Sequence, residues 1–316
     1  MRINISHLFI VAVAGISMAA CTNSNEPQVY PESETTTLNL RLTVNSQYNN
    51  NSRAGGNNYI PEGYQVRYTV AAFVETNGIP SEKEVTRTTA YSEIAPEGGS
   101  QLTDAFSNLH LNLVPHTSYT LVAWADYVRP ADATTTNTQA TFYYNIDDLR
   151  AITPISNQPL SGVDAEDAYL YTQTGYRVNN DDLNQTLTLS LKRPLVKIEF
   201  QNISGIPTGP YSLDCTFDNN SPTETAITFD AITHKVTGNH IRLGETTGTS
   251  PYGYVFAPAD GCNLSVSIMA DEVPYGIKWE ENSLPTPLRL FVQTNQKVTV
   301  QPTEGNQLKL HSLINQ

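Results

Sequence analysis

Residues 35–44 read Thr-Thr-Thr-Leu-Asn-Leu-Arg-Leu-Thr-Val, and apolar and polar side chains alternate along this stretch. Leu38, Leu40, Leu42 and Val44 occupy every second position. Because successive side chains of a β-strand point to opposite faces, this spacing predicts a strand with one apolar face and one polar face. The folded part of the chain is therefore expected to begin with a strand that buries only one side.

Similar alternating runs recur along the chain and are separated by clusters of Asn, Gly, Pro and Ser, which favour turns. The clearest runs cover residues 65–70, 109–113, 119–124, 187–191, 196–200 and 264–268. Strands that bury one face pair into antiparallel sheets, and two such sheets pack face to face. We therefore expect an all-β fold made of antiparallel β-sandwich domains.

A domain boundary is predicted at Lys192-Arg193-Pro194, between two of the alternating runs. Pro194 has no amide hydrogen and cannot donate to a sheet ladder, so it favours a break between strands. The boundary divides the chain into two domains in tandem, residues 54–191 and 192–316. Each is near the size of a single sandwich, about 100 residues.

The N-terminal residues have the layout of a cleaved secretory signal. Arg2 supplies a positive charge, residues 8–16 form a short apolar run, and Met18-Ala19-Ala20 precedes Cys21. A membrane-spanning helix needs about 20 apolar residues, more than this run offers. We interpret residues 1–20 as a signal peptide, Cys21 as the lipidated residue of an outer-membrane lipoprotein, and residues 21–34 as a flexible tether. The alternative is an ordinary signal peptide in which Cys21 has no role.

Charge and cysteine content restrict the partners of the chain. A formal net charge of −13 argues against nucleic acid, because acidic side chains do not replace phosphate counterions. With Cys21 used for lipid, Cys215 and Cys262 remain, both in predicted strands. In an oxidising envelope they form one disulfide or stay two buried free thiols, and the sequence leaves both alternatives open.

Motifs of catalysis and cofactor binding are missing from the sequence. It contains no His-Glu-x-x-His, no Gly-x-Ser-x-Gly and no Gly-x-Gly-x-x-Gly. His234 and His240 flank a predicted hairpin turn, where exposed polar side chains are a simpler interpretation than metal ligands. We therefore expect that the chain is not an enzyme and needs no cofactor or metal.

The stretch that follows the first predicted strand is polar and rich in Asn and Gly. Arg53 is its only cation and precedes Ala54 and two glycines, in the kind of loop where proteases cut. One interpretation makes residues 35–53 a removable first strand with a loop that an Arg-specific protease severs after Arg53. The other is an ordinary first strand followed by a hairpin loop.

This layout resembles the fimbrillin-type (type V) pilins, which are surface fimbria subunits of the Bacteroides kind. The resemblance covers the whole chain and is strongest at Tyr119–Tyr127, Phe142–Asn145 and Leu191–Ile198. It implies sandwich domains of the transthyretin-like, Greek-key type. It also implies a subunit of a surface fimbria that supports cell adhesion.

In such pilins, cleavage after an arginine removes the first strand, and a strand of the next subunit fills the vacated groove. The residues that the groove would hold in this chain are Leu38, Leu40, Leu42 and Val44. The donor implied by the resemblance is the C-terminal segment, whose apolar positions are Val298, Val300, Leu308 and Leu310. The implied partners are other pilin subunits, an Arg-specific protease, the outer membrane, and a ligand on host or bacterial surfaces.

Two other classes of protein remain as alternatives. A surface lipoprotein that binds glycans for nutrient uptake would present an aromatic platform, for which the available tyrosines are Tyr143, Tyr144, Tyr169, Tyr171 and Tyr176. Trp124 lies in an apolar run, where core packing is expected instead. A secreted hydrolase is the weaker alternative because its motifs are missing.

Overall fold

The fold is known from a computed structural model of the chain. The structure describes residues 35–47, 59–102, 105–131, 141–155, 164–179, 186–205, 210–218, 223–243, 251–278, 284–301 and 308–313. Cys21, Arg53 and Ala54, and with them the predicted signal peptide, tether and cleavage site, lie outside these residues. No helix within the described ranges is long and apolar enough to cross a membrane.

The described part of the chain before Arg193 contains strands joined by turns and loops, and one turn of 3-10 helix, Asp164–Glu166. The strands are β1 (Thr36–Asn45), β2 (Tyr59–Ile60), β3 (Gln65–Thr76), β4 (Ile79–Pro80), β5 (Thr86–Tyr91), β6 (Ser100–Gln101), β7 (Phe106–Leu113), β8 (Ser118–Arg129), β9 (Thr141–Phe142), β10 (Tyr144–Asn145), β11 (Thr153–Pro154), β12 (Ala168–Arg177) and β13 (Thr186–Lys192). Nine of them form one sheet in the order β4-β3-β8-β12-β13-β1-β7, with β5 also on β3 and β9 on β8. Two further small sheets consist of β2 with β6 and of β10 with β11.

After Arg193 the described chain continues as shorter strands. They are β14 (Leu195–Phe200), β15 (Ile203–Ser204), β16 (Tyr211–Phe217), β17 (Thr228–Asp230), β18 (Lys235–Thr237), β19 (His240–Arg242), β20 (Tyr252–Phe256), β21 (Cys262–Ala270), β22 (Val273–Ile277), β23 (Leu288–Val292), β24 (Gln296–Val300) and β25 (Leu308–Ser312). One sheet has the order β20-β14-β24, and a second has the order β15-β25-β22-β21-β16-β19 with β23 on β21. The hairpin β17–β18 is separate from both.

The two long central strands, β3 and β8, are buried on both faces. We expected the alternation of apolar and polar residues to bury one face of each strand and expose the other to solvent, and β3 and β8 depart from that expectation. The reason is visible in the run from Leu121 to Ala125, which is continuously apolar and fully buried. A strand covered on both sides has no polar positions to alternate with.

An aromatic cluster joins strands from before and after Arg193. The Trp124 ring meets the edge of Tyr144 with ring centroids 5.5 Å apart, and Tyr144 in turn meets Phe256 at 5.4 Å. Phe256 stacks on Phe229 at 4.6 Å. Beside this cluster, the backbones of Ile152 and Phe229 pair as an isolated antiparallel bridge. Large aromatic surfaces packed in this way contribute strongly to a core.

The all-β fold class predicted from the alternating runs is confirmed, since the described residues are almost all in strands and turns. The strands of the nine-stranded sheet all precede Arg193, and those of the two larger later sheets follow it. Residues 34–316 form one compact unit. The division into domains 54–191 and 192–316 stays a prediction.

Candidate functional site: the groove that holds the first strand

β1 lies between two strands that are far from it in sequence. Along one edge it pairs in parallel with β13, with Leu42 opposite Leu189. Along the other edge it pairs antiparallel with β7, with Leu38 opposite Leu111. A strand paired on both edges satisfies the ladder groups of both neighbours. Without β1, β7 and β13 would border a groove with two unpaired edges, which we call the β1 groove.

The inward face of β1, which fills the β1 groove, is apolar. Leu38, Leu40 and Leu42 are no more than 1 % exposed, as the alternation of residues 35–44 predicted. Leu38 and Leu40 lie opposite Leu111 and Leu109 of β7, and Leu40 and Leu42 lie opposite Leu187 and Leu189 of β13. Full burial of three leucine side chains contributes about 4.5–9 kcal/mol before ordering costs. Val44 is only half-buried, at the end of the row.

The outer face of β1 is polar and wet. The Thr43 hydroxyl lies 3.0 Å from the Ser190 hydroxyl of β13. On the other edge, Asn39 Oδ1 lies 2.8 Å from His110 Nδ1 of β7. These exposed side-chain pairs add little stability, because water competes for each of them. The strand is therefore held from one side, by its leucines and its backbone ladders.

A buried guanidinium lies where β1 ends. Arg193 is fully buried and forms a bidentate ion pair with Asp167, through Nε to Oδ1 and Nη2 to Oδ2. Its Nη2 also donates to the Tyr169 hydroxyl at 3.3 Å, and its Nη1 donates to Asn295 Oδ1 at 3.0 Å. The remaining Nη1 hydrogen goes to the main-chain carbonyl of Ser46 at 3.1 Å. We call Arg193, Asp167, Tyr169 and Asn295 the Arg193 node.

Every donor of the Arg193 side chain thus has an acceptor, which a buried guanidinium requires. Burial, together with the neighbouring Asp167 carboxylate, raises the pKa of Tyr169 well above its usual value. Tyr169 therefore stays protonated and donates its hydroxyl hydrogen to Asp167 Oδ2 at 2.8 Å. The sequence marked Arg193 only as part of a domain boundary, and its role at the end of β1 was missed.

The candidate donor residues lie in the chain's own later sheets. Val298 and Val300 belong to β24, which runs parallel to β14. Leu308 and Leu310 belong to β25, which pairs with β15 and β22. The structure therefore places the candidate donor residues in two different sheets of the same chain, and the role of the C-terminal segment as a donor stays a prediction.

Of the two alternatives left open for Cys215 and Cys262, the structure shows two free thiols. Cys215 in β16 pairs with Val266 of β21, four residues along the strand from Cys262. Four residues of strand span about 13 Å, well beyond the Cα separation that a disulfide tolerates. Burial raises the pKa of Cys262 to about 11 and that of Cys215 further, so both thiols stay protonated at neutral pH.

Most of the tyrosines considered for a glycan-binding platform are not available at the surface. Tyr143, Tyr144 and Tyr169 are buried in the core, where no sugar ring can reach them. Tyr171 and Tyr176 are partly buried against the same core. Trp124 is fully buried, as its apolar surroundings predicted. Among the described residues, no group of three or more His, Cys, Asp or Glu side chains is placed to hold a metal ion.

Several solved structures are similar to this chain. The fimbrial anchor protein Mfa2 from Porphyromonas gingivalis is 15 % identical, with a TM-score of 0.38 over 74 % of this chain and 78 % of that one. The tip fimbrial protein Mfa3 from the same organism is 10 % identical, with a TM-score of 0.35 over 87 % and 99 %. A fimbrial assembly protein from Parabacteroides distasonis is 13 % identical, with a TM-score of 0.34 over 88 % and 98 %. All three are named as fimbrial proteins.

No curated protein sequence matches the chain. A family model described as a family of unknown function (DUF6562) matches residues 31–271, which is most of the chain. The chain therefore belongs to the DUF6562 family.

Proposed function

We propose that this protein is a structural subunit of a surface fimbria, in which β1 is a removable strand and the β1 groove receives a strand of the next subunit. The observation that carries the proposal is the place of β1 in its sheet. It is the first described strand of the chain, yet it is inserted between β7 and β13 and supplies a row of leucines to the core.

The parallel pairing of β1 with β13 supports a strand that is exchanged. Parallel neighbours in one chain are normally joined by a crossover that places the second strand directly beside the first. Here the paired positions of β1 and β13 are 147 residues apart in sequence, and the residues between them build the rest of the sheet. The order of the remaining strands does not depend on a covalent link to β1, so a strand of another molecule can take its place.

Two features of an open β1 groove would favour binding of another strand: its exposed leucines and the two unpaired strand edges. An open β1 groove exposes buried leucines of both neighbouring strands together with unpaired backbone groups of β7 and β13. Exposed edges with an apolar floor pair readily with an added strand, because main-chain bonds give affinity and alternate side chains give specificity. An empty groove therefore favours polymerisation.

The finer steps of the proposal rest on the sequence. The chain is exported as an outer-membrane lipoprotein anchored at Cys21, and an Arg-specific protease cuts after Arg53 to release β1. The donor is the C-terminal segment of the next subunit, with Leu308 and Leu310 at alternate positions. The fimbria then supports adhesion of the cell. Sequencing of the N-terminus of the surface form is expected to begin at Ala54, and a lipidated Cys21 in the polymer would contradict cleavage.

The test of the β1 groove uses the full chain with Leu40→Asp and Leu42→Asp. Two charges in an apolar slot are costly enough to expel β1, because a buried charge without a partner is strongly unfavourable. We expect the amides of β1 to lose protection in hydrogen exchange while those of β8 keep theirs. We also expect the variant to bind a synthetic peptide of residues 35–44, measured by fluorescence anisotropy.

The matched control is Asn39→Asp with Arg41→Asp, which puts two carboxylates on the outer face of the same strand. This control is expected to keep β1 protected and to ignore the peptide. Equal behaviour of the two variants would mean that the inward leucines do not hold β1, and the proposal of an exchangeable strand would fall.

A further inference from the structure

The leucine row alone does not set the register of β1. A slip by one residue would turn Leu38, Leu40 and Leu42 outward, and the lost burial forbids it. A slip by two residues would put one inward residue where the next one was, and most of the row would still be filled by leucines. Some feature outside the row must therefore distinguish the native register from registers two residues away.

The end of β1 supplies such a feature. Ser46 continues the inward row after Val44 and is 2 % exposed. Its carbonyl accepts from Arg193 Nη1, while the other donors of Arg193 are held by Asp167, Tyr169 and Asn295. A slip by two residues would bring Val44 or Tyr48 to this position. Because Ser46 is buried, a larger side chain at this position needs space that its surroundings now fill, and a shift to make that space would disturb the carbonyl contact with Arg193.

We propose that the Arg193 node is a stop that fixes the register of whichever strand occupies the β1 groove. The stop accepts a small residue whose main-chain carbonyl binds Arg193, and it rejects larger residues at that position. The inference rests on the proposed function for its meaning in assembly. A donor strand from another subunit then needs apolar residues at alternate positions followed, two residues on, by a small residue at the node.

Register is read by disulfide trapping in the intact chain. The hydroxyls of Thr43 and Ser190 lie 3.0 Å apart on the wet face, so Thr43→Cys with Ser190→Cys reports the native register. Thr43→Cys with Thr188→Cys, or with Lys192→Cys, reports slips by two residues in either direction. The measured quantity is the rate of disulfide formation for each pair under the same mild oxidant, in chains that also carry Cys262→Ser.

Arg193→Lys tests the node, because lysine keeps the charge beside Asp167 and loses the fork that reaches Ser46. We expect the native pair to form its disulfide about tenfold more slowly than in the parent chain, and a slipped pair to form faster. Arg67→Lys is the control, since Arg67 makes the same buried bidentate pair, with Asp126, on β3 and β8 rather than at β1. The control is expected to lower stability without changing which pair is trapped.

The size limit is tested separately at Ser46. Ser46→Leu is expected to abolish disulfide formation between the native pair, Thr43→Cys with Ser190→Cys, or to prevent folding of the chain. Ser46→Ala, and Asn45→Leu at the exposed neighbouring position, are expected to keep the native disulfide. A native trap at the parent rate in both Arg193→Lys and Ser46→Leu would overturn the stop. If Arg193→Lys does not fold, Ser46→Leu against Asn45→Leu decides alone.

These traps are independent of strand exchange, which separates the two ideas. Loss of register control in a chain whose open groove still binds the peptide of residues 35–44 would remove the stop and leave the proposed function. Intact register control in a chain whose open groove does not bind that peptide would remove the proposed function and leave the stop.

Discussion

β1 and β8 lie in the same sheet, and each is paired along both edges, yet the two strands are held in different ways. β8 is buried on both faces from Tyr119 to Val128. β1 presents leucines inward and leaves Thr37 and Arg41 exposed on its outer face. A strand packed on both faces leaves only if the core comes apart. A strand packed on one face leaves once its ladder hydrogen bonds and the contacts of one row of side chains are lost, so β1 is the strand that the proposed exchange would use.

The largest expected effect is that of Trp124→Ala, which removes much of the side-chain packing that holds β8 in the core. The variant loses the contacts with Tyr144 and Phe256 and leaves a cavity, which costs about 3–5 kcal/mol of unfolding free energy. The loss is measured by urea unfolding followed by circular dichroism. Tyr91→Ala removes an aromatic side chain that is 48 % exposed and is expected to cost about 0.5 kcal/mol or less. Equal losses of unfolding free energy in Trp124→Ala and Tyr91→Ala would mean that packing around Trp124 does not hold β8 in place.

The next effect separates the two strands with one kind of substitution. Leu40→Ala in β1 and Leu121→Ala in β8 remove the same atoms from sites that are both 0 % exposed, and each costs about 2–5 kcal/mol. The difference lies in where the cost appears. In Leu40→Ala we expect faster hydrogen exchange in β1 and at the facing edges of β7 and β13, with β3 and β8 unchanged.

Leu121→Ala is expected to speed exchange across the whole sheet, because β8 opens only when the core opens. The same global pattern for both variants would show that β1 has no separate opening. The comparison between the strands would then fail at its central point.

How far the sequence predicts these features depends on whether the signal is local. β1 was found from its period of two, since Leu38, Leu40 and Leu42 carry the whole signal within a few residues. The double burial of β8 was not expected, although the continuous run from Leu121 to Ala125 contains it. The cover on its outer face comes from Tyr144 and Phe256, which are distant in sequence.

The Arg193 node could not be predicted from the sequence. Asp167, Asn295 and Ser46 lie 26, 102 and 147 residues from Arg193, and no spacing or motif links them. An arginine before a proline at the end of an alternating run has the appearance of a solvated boundary residue. The pairing of β1 with β13 brings Ser46 to Arg193, whereas Asn295 is held there by its own backbone hydrogen bond to Leu195. The free thiols follow the same rule, because the register of β16 on β21 decides their separation.

The smallest expected effect lies on the wet face of β1. Asn39→Ala removes the contact with His110 Nδ1, which is exposed and is replaced by water. We expect a loss of about 0.5 kcal/mol or less, at the low end for a single hydrogen bond, and no change in hydrogen exchange at β8. Urea unfolding and exchange of the β1 amides measure it. A loss above about 2 kcal/mol is the size of a packing defect rather than of one exposed hydrogen bond. Such a loss would mean that the outer face of β1 is packed as that of β8 is. A strand packed on both faces would not be free to leave, and the β1 groove would be an ordinary part of the core.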